Sequence, residues 1–438
     1  MIDIKKYLDQ FFKGTKDPSL KAMQFFMNEY NNFEKKMKFI HIAGTNGKGS
    51  CTEIISNILI KQGYKVGKFI SPHLVKYNER MSINGKEITD QEMTNLIEEL
   101  DIKIKKYKKL TGTDVTLFEL ETAMAMLYFY RNKVDFVVLE TGLGGLYDCT
   151  NIITKPLVSI ITSIGYDHMA LLGDTLEEIA HQKAGIIKEN SSTVICKQEP
   201  KVDNVFVDEC VKKNNKLHIV KKDDVKNYRF DEKYQYFTYK ELKDLRLILK
   251  GKVQIQNACI CIETMKILNE KGFNVNEDSI RKGLETVIHK ARMEEISHNP
   301  LIVYDGAHNE PAIKNLQEMV EMYFKNLKRT YIISILKSKD YKKMLKLLSE
   351  DKDAEFILTS GNDKERYVSK EELENCLKKY INVQKIYKMD LNKAIRSTTK
   401  SNEDTVTLVV GSFYVYGTVI EEIEKIFKIK VIKPWKKK

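Results

Sequence analysis

The sequence predicts a two-domain α/β protein built on mainly parallel sheets, and three observations carry that prediction. At 438 residues the chain exceeds what one hydrophobic core usually organises. Runs of Val, Ile and Leu without alternation recur along it, the pattern of parallel strands buried on both faces. Helical patterns fall between these runs, the order expected of an α/β sheet rather than a bundle or sandwich.

Strands are expected over 38–43, 66–70, 135–140, 157–164 and 193–196 in the first part of the chain. A helix over 50–62 follows the first strand. There Ile54, Ile55, Ile58 and Leu59 share a face, and Gly63 is placed to end it. The stretch 201–250 is rich in Lys, Asp and Asn and carries the aromatic run FDEKYQYFTY, which reads as a small antiparallel meander. A helical pattern resumes at Gln256. The break SHNP, just before an expected strand over 301–304, sets the boundary between domains 1–297 and 298–438. Further strands are expected over 330–336, 355–359 and 405–410. The terminal KPWKKK, with the only tryptophan, reads as a frayed tail.

Composition excludes several classes. Hydrophobic content of 42% with only 7 Pro rules out a disordered or Pro-rich chain. The net charge of +12 invites a nucleic-acid reading, but it comes from 64 Lys against 9 Arg. Surfaces that read phosphate and bases favour the bidentate fork of Arg, so the excess reads as solvated lysine faces and no nucleic-acid partner is expected. Seven cysteines without a CxxC pair argue against a zinc ribbon or disulfide framework. The N-terminus, MIDIKKYLDQFF, lacks the apolar run of a signal peptide, and no stretch approaches the ~18 apolar residues of a membrane span. A cytoplasmic protein that does not engage membranes is expected.

The segment KFIHIAGTNGKGSCTEII is the most informative. A buried strand runs into Gly44, Thr45, Asn46, Gly47, Lys48, Gly49 and Ser50, and a helix begins at once. Glycines let backbone amides approach phosphate oxygens, Lys48 adds a point charge, and the helix start adds donors. Ser50 is placed to ligate a nucleotide-borne magnesium. Glu140 ends the strand DFVVLE and precedes Thr141-Gly142-Leu143-Gly144-Gly145. A carboxylate there projects into the ligand crevice and suits magnesium, with glycines clearing room.

The loop departs from a strict Walker A pattern and reads GTNGKGS. With SPHLVKYNERM, TLFELETA, VVLETGLGG, ITSIGYDHMALLGDTLEEIAHQKAGIIK, QNA, DGAHN and VVGSFYVYG, it resembles the folylpolyglutamate synthase and dihydrofolate synthase family of the Mur-ligase superfamily. The match in order and spacing runs over about 38–415. The resemblance implies a Mur-ligase-like fold: an N-terminal P-loop ATPase domain with a small antiparallel sheet, and a C-terminal Rossmann-like domain that ligates glutamate.

It also implies residue roles. Ser71, Glu140 and His168 would be magnesium ligands, and Lys183, as a carbamate, would help hold the metal. Thr116, Phe118 and Asp148 would meet the folate. Asn257, Arg292, Asp305 and His308 would contact ATP, with Arg292 on the γ-phosphate. Lys48, Glu140, His168, Lys183 and Arg292 form the implied catalytic set. Lys337, Lys339 and Asp340 are candidates to face glutamate or phosphate. The chain departs from the family pattern at Leu146, Cys149, Val253 and the segment His289–Lys290–Ala291 before Arg292.

The implied activity is ATP-dependent ligation of L-glutamate to a folate carboxylate through an acyl phosphate, with dihydropteroate as a further acceptor. ATP and Mg2+ are the implied cofactors, a monovalent cation is a further candidate, and a monomer is expected. A peptidoglycan-type Mur ligase is the rival within the superfamily. A nucleic-acid-dependent NTPase would need an acidic Walker B or DEAD-like motif and clustered Arg, and the sequence has neither.

Overall fold

A computed structural model describes residues 3–11, 19–361, 363, 365–398 and 404–427. The tail KPWKKK lies outside them. The chain divides into two compact units. The first comprises Met1–Phe230, Tyr234–Ile248 and Lys252–Val287, and the second Asp231–Lys233, Leu249–Gly251 and Ile288–Lys438.

In the first unit, β1 (Phe39–Ala43), β2 (Val66–Phe69), β3 (Met81–Ile83), β4 (Lys86–Glu87), β5 (Phe136–Glu140), β6 (Val158–Ile161), β7 (Ser192–Cys196) and β8 (Lys216–Val220) form one sheet. Its order is β4-β3-β2-β5-β1-β6-β7-β8. All neighbours are parallel except β2–β3 and β3–β4. β1, β5, β6 and β7 are buried along their whole length, which is why they read as unbroken apolar runs. Phe26, Phe39, Phe69, Met124 and Phe129 belong to one hydrophobic cluster on this sheet, and Ile161, Ile187, Ile195 and Phe206 to a second, whose strand residues Ala43, Ile161 and Ile195 lie on the same face as Phe39. β9 (Val225–Phe230), β10 (Gln235–Tyr239) and β11 (Leu242–Leu247) make a small antiparallel sheet. β10 alternates buried and accessible positions, as strands of one-sided sheets do.

In the second unit, β12 (Glu294–His298), β13 (Leu301–Asp305), β14 (Lys328–Ile333), β15 (Glu355–Leu358), β16 (Ile386–Lys388) and β17 (Thr405–Val410) form a sheet of order β12-β13-β17-β14-β15-β16. Only β12 is antiparallel. Tyr331 stacks on Phe356, centroids 5.5 Å apart, in its core.

Two sequence expectations are corrected. The boundary at 297/298 falls inside the β12–β13 hairpin, where His298 pairs with Leu301, and the units divide at 287/288 instead. β12 is an edge strand of sequence EEISH, too polar to register as a strand before SHNP. The antiparallel meander occupies only 225–247. Before it, Pro200–Lys212 is a helix and β8 is a parallel edge strand. The helix signal was present: Pro200 stands at its first turn, and Val202, Phe206 and Cys210 share the buried face under an otherwise polar sequence.

Candidate active site

Strands β2, β5, β1 and β6 are consecutive neighbours, with Phe69 opposite Leu139, Ile42 opposite Glu140, and Ala43 opposite Ile161. Their carboxyl ends therefore share one edge. Ser71 lies two residues past β2, Glu140 ends β5, Gly44 follows β1, and the segment leading to Asp167 and His168 follows β6. In a parallel sheet this edge is where ligands bind. The register thus brings Ser71, Glu140, the glycine loop and the loop carrying His168 to a single edge.

The glycine loop is held from two sides. Thr45 N donates to Ser163 O at 2.8 Å. Thr45 Oγ1 donates to Gly165 O at 3.0 Å and accepts from Gly165 N at 3.1 Å. On the other side lies the helix Lys252–Glu270, whose Asn257 accepts nothing from Gly47 but leaves it no room. A Cβ on Gly47 would stand 2.7 Å from Asn257 Oδ1, and φ is +94°. Gly44 is as constrained, since a Cβ there would meet Thr162 Oγ1 at 1.7 Å. Replacing Gly47 with alanine is expected to leave the chain folded but to weaken ATP binding at least about tenfold, because left-handed backbone costs a non-glycine residue ~1 kcal/mol before the clash is counted. Nucleotide titration by calorimetry checks this.

Two lysines converge on the loop. Lys48, at the start of the helix Lys48–Lys61, donates from Nζ to Gly44 O at 3.0 Å and Thr45 O at 3.3 Å. Lys183, near the end of the helix Leu176–Ala184, donates to the same Gly44 O at 3.0 Å. Lys183 is only 4% exposed. Burial, and then the charge of Lys48, pull its ammonium down to about 7, with Asp167 and Asp148 opposing. Ser50 is buried in the first turn of the Lys48 helix.

Glu140 is 5% exposed, and the next amide, Thr141 N, donates to Ile42 O at 2.9 Å, tying the ends of β5 and β1. His168 is the outlier. It sits in left-handed backbone with its side chain 48% exposed, Nε2 3.8 Å from Asp167 Oδ1. Among the described residues no three His, Cys, Asp or Glu side chains converge as a ready cation cage. Magnesium does not require one, since it takes one or two carboxylates with phosphate and water oxygens. The Glu140 carboxylate and Ser50 hydroxyl are donors of that kind, so the residues present fit this ion.

The three residues expected at the folate end behave differently. Asp148 is buried, and its carboxylate accepts from Leu143 N at 2.8 Å, Thr150 N at 3.0 Å and Thr150 Oγ1 at 2.5 Å. Burial raises its pKa against those donors. Phe118 packs on Phe69, centroids 5.9 Å apart, and over Gly142, where a Cβ would approach its ring to 2.5 Å. Thr116 is committed to capping the helix Leu117–Arg131, in a box with Glu119. Leu146, a departure from the family pattern, uses its backbone: its amide donates to Gln182 O at 2.7 Å, beside Lys183.

An ion-pair cluster under the loop after Ser71 was not assigned from sequence. Arg80 pairs with buried Glu121 at 3.1 Å and donates from Nε to His73 Nδ1 at 3.0 Å. Glu79 accepts from the amides of Leu74, Val75 and Lys76. The ERM and FELETA motifs carried the resemblance, but nothing local paired Arg80 with a glutamate 41 positions away.

In the second unit, Asp305 ends β13 opposite Val410 of β17, so DGAHN and GSF leave the sheet side by side. Phe413 lies under the Arg292 guanidinium at 4.6 Å and meets the His308 ring edge-on at 5.3 Å. His308 Nδ1 donates to Gly306 O at 2.8 Å. Asp305 accepts from Met293 N and Ala307 N, both at 2.9 Å. Burial raises its pKa, with Arg292 opposing. Its first task is thus to join the Arg292 segment to the His308 loop. Asp340 caps the helix Tyr341–Leu348, which accounts for it without a ligand.

Known proteins share this fold. Residues 42–265 match the Mur ligase middle domain and residues 291–413 the Mur ligase glutamate ligase domain. The chain is 36% identical over 355 residues to dihydrofolate synthase/folylpolyglutamate synthase of Bacillus subtilis, covering 79% of this chain and 82% of that protein. A folylpolyglutamate synthase of Mycobacterium tuberculosis, solved with ADP and AMPPCP, superposes with a TM-score of 0.87 at 25% identity over 98% of both chains. An FPGS–AMPPCP–folate complex superposes at 0.82 with 28% identity, covering 96% of this chain and 98% of that one. With the Mur ligase fold in both units and this identity across most of its length, the chain belongs to the dihydrofolate synthase/folylpolyglutamate synthase family.

Proposed function

We propose that the protein ligates L-glutamate to a folate carboxylate at the expense of ATP, with dihydropteroate as a second acceptor. The observation that supports it most is the row of strand ends in the first unit: glycine loop, Glu140, Ser71 and Lys183 about one edge, in a chain that matches this family across both units.

The acceptor carboxylate oxygen attacks the γ-phosphorus of ATP. The bond to the β-phosphate oxygen breaks, leaving ADP and an acyl phosphate. The glutamate α-amine then attacks the acyl carbon, the bond to phosphate breaks, and the amine loses a proton as the amide forms. The protein forms no covalent bond in this sequence. The loop amides and Lys48 hold the phosphates in line and offset charge on the transferring group. Glu140, Ser50 and Ser71, with Lys183 as a carbamate, are the residues to hold Mg2+, which supplies further neutralisation of phosphate charge. His168 is assigned to a second ion. In the second unit Arg292, Asp305 and His308 are the nucleotide contacts, and Asn257 is one in the first. Thr116, Phe118 and Asp148 are assigned to the folate, Phe118 by ring stacking. No helix among the described residues is long and apolar enough to cross a membrane. All seven cysteines are unpaired, and we place the reaction in the reducing, ATP-rich cytoplasm.

The test supplies ATP and glutamate with either tetrahydrofolate or dihydropteroate and measures ADP release. Release with one or both acceptors is expected, and the pair of rates separates chain extension from first addition. Silence with both, or release only with a peptidoglycan precursor, overturns the proposal.

A further inference from the structure

His41 lies in the middle of β1, three residues before the glycine loop, and is fully buried between the neighbouring strands. In the sequence it is one polar residue in an apolar strand. In the fold its Nε2 is 2.7 Å from Thr150 Oγ1, 109 positions later, and Thr150 Oγ1 is 2.5 Å from Asp148 Oδ1. Thr150 is itself fully buried.

The direction of this chain follows from counting protons. A threonine hydroxyl has one hydrogen. An Asp148 carboxylate that already accepts from Leu143 N and Thr150 N can only accept, so the hydroxyl hydrogen points to Asp148. His41 Nε2 must then be the donor to Thr150, and Nδ1 the bare nitrogen. Nδ1 is buried with no hydrogen-bond partner, which a lone pair tolerates better than an N–H would. Burial, with the charge of Lys188 adding to it, drives the imidazolium down to about 3, so the ring is neutral, as a single N–H requires.

We propose that His41 is a positioning residue for the acceptor substrate: its Nε2–H orients Thr150, whose one hydrogen then holds the Asp148 carboxylate and the Leu143 turn it grips. The inference rests on the reading that Asp148 meets the folate. The hydrogen bonds of this chain run from His41 through Thr150 to Asp148 and on to Leu143, whereas Lys48 bonds Gly44 O and Thr45 O, so the acceptor and ATP should respond differently to its loss.

Steady-state kinetics of the full chain test this with His41→Leu, His41→Gln, Thr150→Val and Thr150→Ser. Leu and Val remove the donor at each link, whereas Gln keeps an N–H near the Nε2 position and Ser keeps the hydroxyl. The expected result is an acceptor KM raised about tenfold in H41L and T150V, with the ATP KM within twofold of the parent. H41Q and T150S should restore most of the loss, and the H41L/T150V double variant should be no worse than either single one. Equal shifts in both KM values, failure of both rescues, or additive losses overturn the proposal. Should H41L not fold, the T150V and T150S pair decides it. A parent enzyme silent with both folate acceptors would instead sink the functional reading. In that event 15N NMR of the histidine rings still tests the relay without substrate. His41 is expected as the Nε2–H tautomer, shifted by T150V, and an Nδ1–H ring overturns the proposed chain.

Discussion

Replacing Lys48 with alanine is expected to lower glutamate-dependent ADP release by about 10²–10³-fold or more, the effect of removing one preorganised charge from a developing transition state. The folded chain should survive. Lys48 Nζ bonds two loop carbonyls, and hydrogen bonds of this kind contribute only about 1–3 kcal/mol. Glu140→Gln keeps the shape of the side chain while removing its charge, so it should lose activity on a similar scale and also raise the magnesium concentration needed for half-maximal rate. Gln at this position without a shifted magnesium requirement would argue that Glu140 is not a ligand. Circular dichroism and urea unfolding separate either loss from misfolding. Turnover by K48A within tenfold of the parent would remove the phosphate loop from the mechanism.

Lys183→Met is expected to cost a comparable factor, for a different reason. A buried amine brought down to about 7 is substantially neutral at neutral pH, and only the neutral amine reacts with carbon dioxide. The product is a carbamate whose oxygens suit magnesium. Activity should therefore rise with added bicarbonate, and more so as pH climbs through 7. Native mass spectrometry should show the mass of one CO2 that disappears in the variant. Lys183→Arg, which keeps a cation but cannot take up CO2, should be as inactive as Met, and an active Arg variant would overturn the carbamate. Linkage gives an independent check. The folded value lies below the unfolded 10.5, so between about 7 and 10.5 the unfolded chain binds more protons and stability rises with pH. The Met variant lacks this contribution. Its stability advantage over the parent should be largest near and below pH 7 and should shrink as pH rises, measured by urea unfolding without bicarbonate.

Much of the site was legible because parallel strands buried on both faces announce themselves. β1, β5 and β6 read as apolar runs, and candidate residues stand at or soon after their ends: Gly44–Ser50, Glu140 and Asp167–His168. The edge elements were less legible. β8 and β12 have a neighbour on one side only and keep polar residues, so their sequence does not announce a strand, and the meander and the unit boundary begin elsewhere than the apolar pattern implies. The expected roles also divided on contact with the fold. Phe118 has the ring and partners to stack, whereas the Thr116 hydroxyl is taken up in a cap, and Asp305 spends both oxygens joining two loops.

By itself the sequence determined the α/β architecture and the phosphate loop, which depend on residues within a few positions of one another, and the family, through motifs in fixed order over about 38–415. The resemblance singled out Lys183, but only the tertiary structure showed its burial against the phosphate loop, and only the fold brought His41 to Thr150. Lys183 is distinguished by a contact with Gly44 across 139 positions, and His41 by one with Thr150 across 109. The reason is physical. Hydrophobic period and turn chemistry are local properties of the chain, but the charge state of a side chain is set by the water that distant segments exclude and by the charges and donors they bring beside it.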